Sequence, residues 1–222
     1  MSSNHSLISY LFRFFHRPLT TLSAAALLVV ASSRLAFALI AVLDLAVVYL
    51  FTALISETLK RVRLFKHSGH EIWLLPKRNQ KMVCLFLSNF VGCIFFFALY
   101  CASPLLAMET IFITLFVPIF VYIEEAGEKY SDMPLFRIVR NSFKDSVFLG
   151  ILAIFIALIR EPIGYATLSL PGGNGGIIEL FNKNNSFPYT VEIISLSSGA
   201  FLLIGFIMTM FRIIDRRKSE RK

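Results

Sequence analysis

The chain is most informative where charge is missing. From Met82 to Met108 there is no Lys, Arg, His, Asp or Glu. Cysteine is scarce as well: there are three, Cys84, Cys93 and Cys101, all inside that same apolar run. Three thiols in one apolar segment do not make a disulfide framework. Recognisable catalytic patterns are missing too. The glycine-rich stretch Leu170–Gly176 (LPGGNGG) has no following Lys-Ser/Thr and no preceding strand, so it reads as a flexible loop and not as a phosphate cradle. No His, Cys, Asp and Glu cluster has metal-ligand spacing. The four histidines lie in the N-terminal tail (His5, His16) or a basic loop (His67, His70), and the second pair has no further ligands near it.

What remains is apolar. Of the 222 residues 56% are hydrophobic, and the mean hydropathy is +0.71. Soluble domains hold about 45–50% and interrupt their apolar runs with charge. A bilayer core takes about 20 apolar residues per helical span, so the composition indicates an integral membrane protein. Six apolar segments are expected at about 18–33, 35–56, 82–103, 110–123, 146–159 and 193–211. Each should be helical, because lipid offers nothing to an unpaired backbone.

The 22 basic residues divide unevenly about these segments. Nineteen fall in the N-terminal tail, the loops after segments two and four, and the C-terminal tail. Three (Arg34, Arg160, Lys183) fall on the other side. The positive-inside rule then predicts six spans with both termini cytoplasmic. Topology accounts for the net charge of +8, and no nucleic-acid partner is implied.

Segments one and four are short, and Pro118 interrupts the fourth. They head two halves of three spans each, and three is odd, so the halves are expected to be inverted. Short or broken helices at matching places in inverted halves point to a midplane site. Asp44 lies mid-span in IAVLDLAVV and is a candidate ion-path carboxyl, since burying it is costly. Glu109 opens segment four, within reach of the interface. In FIALIREPIGY (155–165) an Arg-Glu pair follows only fourteen apolar residues. Arg160 is expected near the outer face, snorkelling outward or pairing with Glu161, with Pro162 ending the helix.

The stretch SFKDSVFLGILAIFIALIREPIGYATL (142–168) resembles the Rnf/Nqr membrane-subunit pattern. There a Ser-Phe-x-Asp start leads through a helix to Arg-Glu-x-x-Gly-x-x-x-Leu. In this chain those positions are Ser142, Phe143, Asp145, Arg160, Glu161 and Gly164. SSGAFLLIGFIMTMFRIID (197–215) resembles that family's last helix, and ASSRLAFAL (31–39) is more distantly similar. The similarity is to E-type subunits of the Rnf complex and D-type subunits of the sodium-translocating NADH:quinone reductase.

The resemblance implies an all-α membrane fold of two inverted three-helix repeats. It implies an ion-translocating electron-transport complex of the bacterial inner membrane, with a homologous inverted partner subunit and further flavin and iron–sulfur subunits. The family's half-helices each present a cysteine to a shared two-iron, two-sulfur cluster. Here those positions fall on Ala26 and Phe120, so no cluster ligand is expected from this chain. A non-catalytic scaffold subunit follows. The other reading that the residues support is a small-solute transporter, or its membrane substrate-binding component.

Overall fold

The computed structural model describes residues 18–61, 63–67, 70–73, 80–123, 135–173, 176–181 and 191–219. The chain is mostly helical. Helices α1 (Pro18–Ala31) and α2 (Leu35–Arg61) precede a hairpin of β1 (Arg63–His67) and β2 (His70–Trp73). Helices α3 (Gln80–Ala102), α4 (Pro104–Glu109), α5 (Ile111–Ile123) and α6 (Leu135–Tyr165) follow. A second hairpin, β3 (Leu168–Pro171) and β4 (Ile177–Phe181), leads to α7 (Glu192–Ser195) and α8 (Ser197–Ser219). His5 and His16 lie outside the described residues, while His67 and His70 are register partners in the first hairpin.

Among the described residues, three helical stretches are long and apolar enough to cross a membrane: Leu35–Ile55, Met82–Ala102 and Val139–Tyr165. Three shorter apolar ones are Leu22–Ala31, Ile111–Ile123 and Ser197–Ile207. At 1.5 Å per residue, α5 spans about 20 Å, short of a hydrocarbon core of about 30 Å. The result is a helical membrane protein whose first and fourth segments are short.

Several local expectations are corrected. Pro118 does not interrupt its segment: α5 runs through it without a break. Its ring packs where α3 has no side chain, and a Cβ on Gly92 would lie 2.7 Å from Pro118 Cγ. The break falls earlier, at Thr110, which is buried between α4 and α5. Thr110 turns the chain there, its backbone N–H and its hydroxyl both donating to the Leu106 carbonyl (3.0 and 2.8 Å). Nor does Pro162 end its helix, because α6 continues to Tyr165. Segment 193–211 is split at Leu196 into α7 and α8. The glycine-rich loop joins β3 to β4, and Gly176, at φ +80°, sits where a Cβ would meet Leu106 of α4 at 3.0 Å.

The longest seam joins α2 and α6, which run antiparallel. Leu35 at the start of α2 meets Glu161 near the end of α6, and Val42 fills the space above Gly150, where a Cβ would lie 2.6 Å from Val42 Cγ2. Helix α2 also packs on α3, α5 and β3, α1 on α5, and α5 on α3. Helix α8 touches α1, α6 and α7. Buried Ala, Leu, Val and Ile of α1, α2, α5 and α6 form the core. Phe86, Phe90 and Phe97 of α3, Phe112 of α5 and Phe206 of α8 face outward, an apolar exterior suited to lipid.

Candidate functional site

The reversal between α1 and α2 leaves the last carbonyls of one helix and the first N–H groups of the next without intrahelical partners. In an apolar setting each must be answered. Locally, Ser32 N donates to Leu28 O (2.9 Å), while the backbone N–H and the hydroxyl of Ser33 donate to Val30 O. Several of the others are met from far along the chain. Arg160 Nη1 donates to Val29 O at 2.8 Å and to Ser32 Oγ at 3.4 Å. Leu35 N donates to Glu161 Oε2 at 2.7 Å, and Ala36 N to Ser169 Oγ at 3.4 Å.

The same guanidinium closes a third helix end. Arg160 Nε donates to Ile194 O (3.0 Å) and Nη2 to Ser195 O (2.7 Å), both at the end of α7. Gly164 makes that approach feasible, since a Cβ there would lie 2.9 Å from Ser195 N. Tyr165 Oη adds a bond to Ser195 O at 3.3 Å, and Val191 N donates to Ile163 O. The charges match the helix dipoles: a cation lies at two C-termini and an anion at one N-terminus.

Arg160 is only 2% exposed and Glu161 is fully buried. The expectation that Arg160 snorkels outward or pairs with Glu161 is therefore replaced. The two adjacent charges turn to separate helix ends. Glu161 keeps its second oxygen, Oε1, buried without a partner.

The rest of the family pattern lies at the other end of α6. Ser142 and Asp145 are buried and Phe143 is exposed. Asp44, on α2, is fully buried, and neither of its carboxyl oxygens has a hydrogen-bond partner. Glu109 is exposed at the end of α4. Thr52 and Ser142 add buried hydroxyls without partners. Thr52 was not singled out in the sequence, although it lies eight residues beyond Asp44 on the same helix.

Positions 26 and 120 lie on the two short helices, which pack together. Phe120 is 2% exposed and is among the largest fully buried side chains. A methyl and a phenyl supply no ligand to iron. Cys84 is buried on α3, while Cys93 and Cys101 face outward from it. The residues present thus do not fit an iron–sulfur cluster at the place the resemblance implies. Among the described residues no three His, Cys, Asp or Glu side chains come together.

No family model matches the chain, and no curated protein matches it.

Proposed function

We propose that this chain is a membrane-embedded scaffold subunit of an Rnf/Nqr-type ion-translocating electron-transport complex. In this reading it has two inverted halves and packs against a homologous inverted subunit. The observation that carries it is the matching order and pairing of the two halves. A short helix, a long helix, a two-stranded hairpin and a further helix occur as α1, α2, β1–β2, α3, and again as α5, α6, β3–β4, α8. The pairings follow the same rule. The short helices α1 and α5 pack together, as do the long ones, α2 and α6. The contact of α1 with α8 corresponds to that of α5 with α3, and α1 with α6 to α5 with α2. In this reading a pseudo-twofold axis relates such pairs and the chain makes six spans. The split of basic residues supports termini on the cytoplasmic side, and the bacterial inner-membrane location is what the resemblance implies.

The resemblance adds the family. Arg160, Glu161 and Gly164, the end of its pattern, are the residues that join α1, α2 and α7. In this reading the flavin and iron–sulfur chemistry belongs to other subunits, and this chain contributes shape and contact surface.

A solute transporter is the other reading. Among the described residues, a cavity between α1, α2 and α6, lined by Leu27, Ala31, Val42, Gly150 and their neighbours, measures about 10 Å³ and is too small to be a solute site. That is room for about one water.

Affinity purification of the tagged chain from native membranes tests the proposal. Co-purification of flavin-binding and iron–sulfur subunits is the expected result. Recovery of a lone chain that binds a small solute contradicts it.

A further inference from the structure

Among the described residues, buried side-chain oxygens without a partner are found on Asp44 and Thr52 of α2, on Ser142 of α6 and at Glu161 Oε1. Asp44 is the one carboxyl among them that lacks a partner at both oxygens, and it is fully buried. It stands two residues, about 200°, round α2 from Val42, which meets Gly150 of α6, on a helix that also packs against α3 and α5.

Buried polar groups without partners in a folded protein call for water, an ion or a functional role. A carboxylate among apolar neighbours is costly unless something neutralises it. No cation does so from the packed elements. Helices α1 and α5 and strand β3 contain no charged residue, and α3 has none from Met82 to Ala102. Arg160 is committed to helix carbonyls. The other titratable groups on the buried faces of this region are Tyr49 on α2, Asp145 on α6 and Cys84 on α3. A metal cation needs several oxygen ligands, whereas the level of Asp44 offers the two oxygens of its own carboxyl.

We propose that Asp44 is a proton-exchanging carboxyl inside the helix bundle. The proton moves between water and a carboxyl oxygen, and no other bond changes. The inference rests on burial and placement, and stands whether or not the chain belongs to an electron-transport complex.

Infrared difference spectroscopy on the full-length protein in lipid vesicles tests it, with Asp44→Asn identifying the carboxyl band. Asp44→Leu is a second control in case Asn disturbs the fold. The expected result is a protonated-carboxyl C=O band that is lost in both variants. In wild type it shifts to lower frequency when heavy water replaces water. Absence of an Asp44-dependent band at every pH at which the protein is folded overturns the proposal, as does a band that heavy water leaves unmoved. Loss of the band on adding sodium at constant pH overturns the proton in favour of a metal cation.

Discussion

Helices α2 and α6 bury ionisable side chains at two places, and they treat them in opposite ways. Near the end of α6, Arg160 and Glu161 reach the termini of α1, α2 and α7 with five hydrogen bonds. Part-way along α2, Asp44 is equally buried and makes none. Helix ends must have their backbone groups satisfied, so the first pair has a structural task that its bonds state outright. Nothing about the fold of α2 needs a carboxyl at position 44, where an apolar residue of similar size would pack without desolvation cost. Full burial alone therefore says little about role, and the presence or absence of partners separates the two.

The largest expected effect that bears on this contrast comes from Arg160→Met. It leaves carbonyls of two helix ends without a donor. At about 1–3 kcal/mol for each buried acceptor left unpaired, a loss of several kcal/mol is expected, seen as a large fall in melting temperature in detergent. Gly164→Val comes next. Its side chain would have to displace the Ser195 backbone, and overpacking of that kind costs about 1–3 kcal/mol. Limited proteolysis near α7 and the melting temperature would both report it. Glu161→Gln keeps an acceptor for Leu35 N but removes the charge beside Arg160. A loss of about 1 kcal/mol is expected, so a drop as large as that of Arg160→Met would mean that the carboxylate carries more of the junction than its single bond suggests.

Much of the helical layout was legible in the sequence, because an uncharged run such as 82–108 leaves a lipid-solvated backbone no alternative to a helix. Helix ends were harder to read. Leu35 N is satisfied by Glu161 and Ala36 N by Ser169, residues 126 and 133 positions away, and no local pattern announces such a partner. The partners of Arg160 are mostly backbone carbonyls, which carry no sequence signal at all, so the local sequence points to outward snorkelling instead. Pro118 misled for a related reason. The rule that proline breaks a helix is local, whereas the ring here is accommodated by the missing side chain of Gly92. Asp44 stood out at once, since a carboxyl inside an apolar run is conspicuous, but its lack of partners became visible only once α2 and α6 were packed together.

The contrast is tested most directly by the stability of Asp44→Leu, measured beside Arg160→Met in the same detergent. If Asp44 has no structural partner, removing its carboxyl is neutral or stabilises the fold by about 1 kcal/mol or more, and the melting temperature stays level or rises. A fall comparable to that of Arg160→Met would show that Asp44 holds the bundle together, and would contradict the account.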